Sequence, residues 1–424
     1  MRWRDGSRAV PADGELTAVS DGPRAVSVDP GARLGGPGPA AAPVTVGAGW
    51  RRGSVLLGRA VVEVLPAWVV ARVVVTGALV VDRLGVRSFR PGNPAAVQRV
   101  HQGLLVWDAG WYRSIAAHGY AVSGQQALRF FPLYPLLGRW LGAVPGVGTD
   151  AALVLVANLS ALVAMAGLLL LVRHDLGDAA LAGRSVWLLA LAPSAYCLVL
   201  AYADATLLLA AVVTFLGART GRWWWAAAAG LAAGAVRPVG VLLVVPVAAE
   251  LWAHRGDRPR PAARAARGSA LVAPLVGAGA YLVWVGHRFG DAWLPFTVQQ
   301  QSGHRGQFVV PVSAMWQDVA DAVHGHHLGS ALHVPWVLLC VVLLVVAWRR
   351  LPGSYTLFAA AVLVVSLSTT NLDSFERYAL GAFPLVVAAS TATASRRVEV
   401  VVLVCSALAM AGYAALGFLG VVVP

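Results

Sequence analysis

Long apolar stretches alternate with short polar segments along most of the chain, from Val61 to the C-terminus. The stretches recur at membrane-spanning length and are bounded by Arg, Pro, Gly or Asp, which is typical of serial transmembrane helices. They lack the alternating polarity of barrel strands, and lipid offers no partners for the backbone groups of an open sheet. The pattern therefore predicts an all-α polytopic membrane protein.

The apolar pattern predicts eleven candidate spans, with ends defined to within a few residues. They are 58-81, 151-172, 185-201, 205-218, 223-236, 239-252, 269-286, 335-348, 354-370, 378-393 and 397-420. The three between 205 and 252 are too short to cross a bilayer untilted. Pro238 also disfavours helix at Arg237, so one broken or re-entrant hairpin can replace two of these spans. We expect between nine and eleven transmembrane helices.

Arginines in the short connections predict the topology of the chain. If the N-terminus is cytoplasmic, every short Arg-bearing connection falls on the cytoplasmic side. These connections lie at Arg173, 219-222, 255-267, 349-350 and 396-397. The opposite side then receives the loops 82-150 and 287-334, the turn at Tyr202, the break at Arg237 and the turn 371-378. We expect a multi-pass protein of the cell membrane with its active site on the extracytoplasmic face.

Residues 1-53 are rich in Gly, Pro, Ala, Arg and Asp and show no apolar period. Such a segment cannot bury enough surface to offset its ordering entropy. We predict a disordered cytoplasmic tail followed by a transmembrane domain over 54-424. A cleaved signal peptide is not expected, because the first long apolar run begins near Leu56 and is long enough to span.

Composition supports a membrane protein and argues against nucleic-acid binding. Hydrophobic residues make up 58% of the 424 residues and charged residues 12%, against about 25% charged in soluble domains. The net charge of +13 comes from arginines dispersed between apolar runs rather than gathered on one face, so we attribute it to topology. Cys197, Cys340 and Cys405 lie inside apolar runs and predict neither a disulfide framework nor a zinc site.

The loop after the first span contains WDAGWYRSIAAHGY at 107-120 and FFPLYPLLGRW at 130-140. Both segments are aromatic and apolar, which favours amphipathic helices on the membrane surface. Asp108 would then lie at the boundary between water and lipid, where partial desolvation raises the basicity of a carboxylate. The alternative is that Asp108 only caps a short surface helix.

These motifs resemble the membrane mannosyltransferases of the PIG-V type, which add a mannose during glycosylphosphatidylinositol assembly and belong to the GT-C superfamily. Later segments match the same family in the same order, although the family more often has Glu where this chain has Asp204. The matching segments are Ser194-Ala-Tyr with Tyr202-Ala-Asp204, Gly234-Ala-Val-Arg237-Pro-Val-Gly240, Asp291-Ala-Trp293 with Phe296 and Gln299 or Gln300, and Arg377-Tyr378 with Phe383-Pro384. The chain resembles a bacterial relative, since it lacks lysine and has a long basic tail.

The resemblance implies a GT-C-like fold and an inverting sugar transfer from a polyprenyl-phosphate donor to a lipid or glycan acceptor. Asp108 is the predicted general base, and Arg237 and Arg377 are predicted to bind the phosphate. The predicted substrate-binding residues are Trp107, Tyr112, Asp204, Arg237, Asp291, Gln300, Arg377 and Tyr378. No cofactor is expected, and besides the donor, the acceptor and membrane lipids no partner is implied.

Each predicted polar residue has a plainer interpretation. Arg237 can be a snorkelling arginine, Arg377 can pair locally with Glu376 or Asp373, and Asp204 can be a solvated turn carboxylate. Tyr112, Tyr120 and Tyr134 are interpreted as interface anchors rather than participants.

The histidines of the external loops invite a metal interpretation, above all the run HGHH at 324-327. A metal site needs three or four converging ligands with a supporting shell, and a single-base mechanism requires no metal. We therefore predict no metal.

Two rival functions fit the same apolar pattern. A secondary transporter or a flippase for lipid-linked sugars would also use broken helices and membrane charges. The sequence shows no repeat relating its two halves, and its charges gather at one membrane face. An inactive structural subunit would be expected to lose the base, but Asp108 is present.

Overall fold

The computed structural model describes residues 46–301, 305–310 and 333–423, with side chains from residue 53 onward. The α-helices of this part are α1 (Val46–Phe89), α2 (Pro94–Gln102), α3 (Asp108–His118), α4 (Tyr120–Ser123), α5 (Leu133–Gly142), α6 (Thr149–Leu176), α7 (Ala179–Leu191), α8 (Asp204–Arg219), α9 (Trp223–Val236), α10 (Val244–Ala253), α11 (Pro261–Phe289), α12 (Leu294–Gln299), α13 (His333–Arg350), α14 (Gly353–Leu367), α15 (Phe375–Gly381), α16 (Pro384–Ala392) and α17 (Arg396–Leu419). Four 3-10 turns join them, at Gly103–Leu105, Gln125–Arg129, Pro193–Leu198 and Pro238–Leu243.

The described residues contain helices and no strand, apart from one isolated antiparallel bridge between Phe308 and Thr369. Within the described part of the chain, five helices are long and apolar enough to cross a membrane: Gly53–Phe89, Thr149–Leu176, Pro261–Phe289, His333–Arg350 and Arg396–Leu419. Exposed Val, Leu and Trp side chains cover the outside of these helices, as expected where lipid is the solvent. The prediction of an all-α polytopic membrane protein is confirmed.

The first helix is longer than its predicted span of 58-81. It continues to Phe89, and its part from Gly53 onward has 37 residues, or about 55 Å at about 1.5 Å per residue, against a hydrocarbon thickness of about 30 Å. It begins at Val46, inside the segment predicted as a disordered tail. Residues 1–45 of that segment lie outside the described part of the chain.

All eleven predicted spans coincide with helical segments, but three of them are broken. The span 185-201 ends as α-helix at Leu191 and continues through the 3-10 turn Pro193–Leu198. The span 239-252 opens with the 3-10 turn Pro238–Leu243. The span 378-393 is divided between α15 and α16. Pro193, Pro238 and Pro384 stand at these breaks, because proline lacks the N–H that a continuous helix would need.

Helices α9 and α11 approach each other so closely that two glycines are required at their contact. A Cβ on Gly277 would collide with the carbonyl oxygen of Leu231, and one on Gly234 would collide with that of Pro274. Both obstacles are backbone atoms, which cannot rotate away as a side chain could. The close packing of small residues is typical of helix pairs in lipid.

We expect Gly277→Ala to lower stability by about 1–3 kcal/mol, because the added methyl forces the two helices apart. Gly279→Ala is the matched control, since a Cβ at Gly279 of the same helix meets no atom within 4 Å. Thermal unfolding of both variants in one detergent measures the difference. Equal midpoints for the two variants would contradict the requirement for glycine at this contact.

The segment 82-150 packs against the helix bundle. Its two aromatic motifs form helices α3 and α5 as predicted. However, Tyr112 is 2% exposed and Tyr134 is 0% exposed, and Tyr120 is also buried. The hydroxyls of Tyr120 and Tyr134 donate to the carbonyls of Phe130 and Leu153. The three tyrosines are therefore core residues, and their interpretation as interface anchors is wrong.

A buried ion-pair cluster lies at the end of α8 opposite to Asp204. Arg219 Nε donates to Asp175 Oδ2 at 2.9 Å and Arg219 Nη1 to Glu250 Oε1 at 3.1 Å. The hydroxyl of Tyr355 donates to Asp175 Oδ2 at 2.7 Å. These contacts join α6, α8, α10 and α14 at the end of the bundle that carries most of the arginine-bearing connections, which leaves the other end for the site described next.

Candidate functional site

Arg377 joins two carboxylates that are far apart in the sequence. Its Nη1 donates to Asp108 Oδ2 at 2.7 Å, and its Nε and Nη2 donate to Asp204 Oδ2 at 3.0 and 2.8 Å. Only 3% of the Arg377 side chain is exposed. Since a buried guanidinium needs paired, charge-assisted partners, Arg377 is held by both aspartates.

Arg237 completes this charged cluster from the other side of Asp204. Its Nη1 donates to Asp204 Oδ1, so each oxygen of Asp204 accepts from a different arginine. Aromatic rings cover the cations: Arg377 lies 4.3 Å from the centroid of Tyr202, and Arg237 lies 5.0 Å from that of Tyr378. Arg237 is thus neither a snorkelling residue nor a solvated one, and Asp204 is a buried bridge rather than a turn carboxylate.

The cluster forms at helix ends because each member follows a break in regular structure. Asp204 and Asp108 open α8 and α3, where a carboxylate interacts favourably with the helix dipole. Arg237 is the extended residue between α9 and Pro238. Arg377 lies in the first turns of the short helix α15. The local sequence therefore delivers the four side chains to one end of the bundle.

Backbone strain marks two of these four segments, those that carry Asp108 and Arg377. Among the described residues, Trp107 and Ser374 are the non-glycine residues with positive φ, at 58° and 66°. Trp107 directly precedes Asp108, and Ser374 directly precedes α15 with Arg377. Such conformations cost about 1–3 kcal/mol each and are found at functional sites, where surrounding contacts enforce them.

A cavity of about 220 Å³ adjoins the cluster. Its lining combines aromatic and aliphatic side chains with four charged ones. The lining residues are Asp108, Tyr112, Arg129, Phe130, Phe131, Arg237, Pro238, Val239, Pro295, Phe296, Gln299, Arg305, Phe308, Val365, Ser366, Thr369 and Tyr378. The side chain of Asp108 is 31% exposed, against 10% for Asp204. Asp108 is therefore the carboxylate of the cluster that can meet a ligand in the cavity.

Asp108 has one oxygen engaged and one available. Oδ2 accepts from Arg377, and no hydrogen bond to Oδ1 is formed within the part of the chain that the structure describes. A carboxylate oxygen in this position can accept a hydrogen bond or a proton from a ligand. Burial raises the pKa of the neighbouring Tyr112, so its phenol stays protonated and can act as a donor but not as a base.

Two arginines of the cavity were not predicted from the sequence, Arg129 and Arg305. Arg305 Nη2 donates to the carbonyl of Ser366 at 2.6 Å and to Thr369 Oγ1 at 2.9 Å, and its guanidinium lies 4.3 Å from the ring centroid of Tyr378. Arg129 lies 4.9 Å from the ring centroid of Phe130. Arg129 directly precedes the FFPLYP motif, which is a sequence signal; Arg305 has no comparable signal.

Five predicted binding residues lie outside the cavity lining. Two of them, Asp204 and Arg377, belong to the charged cluster beside it, and the other three have other surroundings. Trp107 donates from its indole Nε1 to the carbonyl of Gly417 at 2.8 Å. Asp291 accepts from the backbone N–H of Trp293 in a local turn. Gln300 is exposed, and Gln299 lines the cavity in its stead.

Glu376 and Asp373, the local partners considered for Arg377, lie close to His333 instead. His333 Nδ1 lies 2.7 Å from Glu376 Oε1, and His333 Nε2 lies 3.8 Å from Asp373 Oδ1. The neighbouring His333 keeps the pKa of Asp373 below its usual range. The local pairing of Arg377 is therefore wrong.

The histidine run at 324-327 lies outside the described residues. Within the described part of the chain, no group of three or more His, Cys, Asp or Glu side chains could hold a metal ion.

Comparison of the sequence with models of known protein families and with curated proteins finds no match. The function must therefore be argued from the cavity, the charged cluster and the sequence motifs.

Proposed function

We propose that the chain is a membrane glycosyltransferase. It moves a sugar, mannose in the family that the motifs resemble, from a polyprenyl-phosphate donor to a hydroxyl of a lipid or glycan acceptor at the extracytoplasmic face. The observation that carries the proposal is the pairing of one accessible carboxylate, Asp108, with three arginines in the wall of one cavity. This set offers a base and an excess of positive charge for an anionic donor.

The reaction is a single displacement with inversion. The acceptor oxygen attacks the anomeric carbon while its proton passes to Asp108 Oδ1. The bond between the anomeric carbon and the phosphate oxygen breaks, and its electron pair stays on the phosphate as the polyprenyl phosphate departs. The phosphate gains negative charge in this step. A cation that binds the departing phosphate more strongly than it binds the intact donor therefore lowers the barrier.

Arg305 is the best-suited residue for contacting this phosphate. Arg237 and Arg377 were predicted for that role, but both are already ion-paired with Asp204. The hydrogen-bond partners of the Arg305 side chain in the described part of the chain are neutral oxygens. No hydrogen bond of its side chain within that part goes to a carboxylate, although Asp373 lies close enough to interact with its charge. A planar guanidinium also matches two phosphate oxygens.

We expect Arg305→Gln to raise the donor KM about 10- to 150-fold, because a hydrogen bond to a charged group contributes about 1.5–3 kcal/mol. The acceptor KM should change far less. Steady-state kinetics with varied donor at fixed acceptor measures both effects.

Arg288→Gln is the matched control, because Arg288 is an exposed arginine at the C-terminal end of α11 that does not line the cavity. An unchanged donor KM in Arg305→Gln, or an equal rise in the control, would assign the phosphate to another residue.

The location of the charges favours transfer over transport. The cluster and the cavity lie at the N-terminal end of α8 and the C-terminal end of α9, whereas secondary transporters bind substrates near the middle of the bilayer.

The test uses the purified full chain in lipid nanodiscs with polyprenyl-phosphate mannose and membrane-lipid acceptors. We expect a mannosylated product, detected by mass spectrometry, together with release of polyprenyl phosphate. In sealed vesicles, movement of intact donor across the bilayer without any glycosidic product would replace the proposal by the transporter alternative. Donor hydrolysis without transfer would show that the tested acceptors are wrong.

A further inference from the structure

Arg72 is a charged residue in the middle of the membrane-spanning part of α1, Gly53–Phe89. Charged side chains at this depth are expensive and rare, so their partners indicate their role. The hydrogen bonds of Arg72 in the described part of the chain go to neutral oxygens: Nε to Asn158 Oδ1 at 2.8 Å, Nη1 to the carbonyl of Trp68 at 3.3 Å and Nη2 to the carbonyl of Leu198 at 3.2 Å. Its guanidinium also lies 4.4 Å from the ring centroid of Trp68.

Asn158 extends this network to the next residue of the broken segment. Its Nδ2 donates to the carbonyl of Val199 at 3.0 Å and to that of Val154 at 2.8 Å. Leu198 and Val199 lie where the 3-10 turn Pro193–Leu198 ends, so their carbonyls lack the partners that a continuous helix would give them. In lipid such groups would each cost several kcal/mol. Arg72 and Asn158 satisfy both.

The segment 199–203, which we call the break, leads directly to Asp204 at the start of α8. The break also contacts the segment that precedes the other aspartate, Asp108. The backbone N–H of Ala201 donates to the carbonyl of Leu104 at 2.9 Å, and Leu104 belongs to the 3-10 turn that precedes Trp107 and Asp108. One short backbone segment thus sets the position of both aspartates that Arg377 joins.

We propose that Arg72 and Asn158 are positioning residues. Acting through the break, they hold the carboxylates of Asp204 and Asp108 in the relative positions at which Arg377 binds both. Neither side chain lines the cavity. Their hydrogen bonds fix the carbonyls of Leu198 and Val199, the break then fixes Asp204 by direct connection, and the bond from Ala201 to Leu104 fixes the approach to Asp108. The structural part of this inference is independent of the reaction; its kinetic part rests on the proposed glycosyl transfer.

The structural part is tested by hydrogen–deuterium exchange of the full chain in nanodiscs, followed by mass spectrometry. Arg72→Leu and Asn158→Leu should each speed exchange in peptides covering 199–204 and 104–108 by about 10-fold or more, because a hydrogen bond that restrains local opening is lost. Peptides of α17 should keep wild-type rates.

Arg59→Leu is the control for removing an arginine from α1, since Arg59 is exposed on the same helix, and it should leave every peptide unchanged. Wild-type exchange rates at 199–204 in both Leu variants would overturn the proposal. A uniform rise over the whole chain would also overturn it, since that result indicates loss of the fold rather than release of the break. If Arg72→Leu does not fold, the exchange rates of Asn158→Leu alone test the proposal.

The kinetic part is tested by transfer assays on the same variants. Asn158→Leu should lower kcat about 100-fold with little change in either KM, because displacement of a catalytic group by about 1 Å has an effect of this size. Arg72→Lys should restore part of the loss that Arg72→Leu causes, since its ammonium keeps the charge and can still donate to one or more of these oxygens. A lowered unfolding temperature with unchanged kcat would reduce Arg72 and Asn158 to a structural role. Absence of transfer by the wild-type chain would refute the glycosyltransferase and leave the exchange experiment to decide the positioning role.

Discussion

Asp108→Asn is expected to lower kcat for sugar transfer by about 10²- to 10⁴-fold, the usual contribution of a positioned general base. The substitution keeps the shape of the side chain, and its amide oxygen can still accept from Arg377, so the ion-pair cluster should stay assembled. What is lost is the ability to take the proton of the acceptor hydroxyl. We therefore expect donor and acceptor KM values close to those of the wild type. The measurement is steady-state transfer with donor and acceptor varied in turn.

Asp150→Asn is the matched control for this experiment. Asp150 lies in the first turn of helix α6 and pairs with Arg113 at 2.7 Å, with 43% of its side chain exposed, and it does not line the cavity. Its loss should change kcat less than about twofold, since exposed ion pairs contribute about 0–1 kcal/mol. Transfer at the wild-type rate by Asp108→Asn would remove Asp108 as the base. The phenol of Tyr112 would not be a substitute, because burial raises its pKa.

The fold could be predicted from the sequence because lipid leaves a chain few alternatives. Each apolar stretch was expected to be helical, and all eleven predicted stretches coincide with helical segments, three of which are broken. The breaks inside three of them were harder to foresee. Only Pro238 was recognised as a break, whereas the segment after Pro193 is as apolar as a span and becomes irregular because Arg72 and Asn158 satisfy its carbonyls. That compensation comes from two other helices, so no local pattern reveals it.

The members of the site could be named from the sequence, but their pairing could not. Asp108, Asp204, Arg237 and Arg377 were all predicted, and the structure brings them together across as many as 269 sequence positions. Arg237 and Arg377 were predicted to bind phosphate, yet both bind Asp204. The sequence shows which residues are charged. It does not show how far a neighbouring charge neutralises each of them, because that depends on how the helices pack.

The smaller errors have local causes. Gln300 was predicted where Gln299 lines the cavity, since a one-residue step around a short helix such as α12 changes the direction of a side chain by about 100°. The tyrosines of the first loop were interpreted as interface anchors because tyrosine prefers that depth. Their burial depends on α3 and α5 packing against the bundle. Trp140 of α5, in contrast, is 61% exposed.

Arg377→Met is expected to be the most destabilising single change at the site, by about 3–5 kcal/mol, because it leaves the carboxylates of Asp204 and Asp108 beside each other with one of their cations removed. Arg377→Lys should lose less, since it keeps the charge but cannot bridge both carboxylates with a planar fork. Unfolding titrations in mixed micelles with a denaturing detergent measure these differences. The control is Arg113→Met, whose pair with Asp150 is exposed and should contribute less than about 1 kcal/mol.

The double variant Arg377→Met with Asp204→Asn separates an electrostatic cause from lost packing. If unpaired negative charge is responsible, removing the charge of Asp204 should recover part of the stability, and the two changes should depart from additivity by about 0.5–3 kcal/mol. The cluster would then keep one cation, Arg237, and one anion, Asp108, both in the cavity lining. Strict additivity of the two substitutions, or a loss no larger than in Arg113→Met, would show that Arg377 does not organise the carboxylates, and the alignment of Asp108 with the cavity would need another cause.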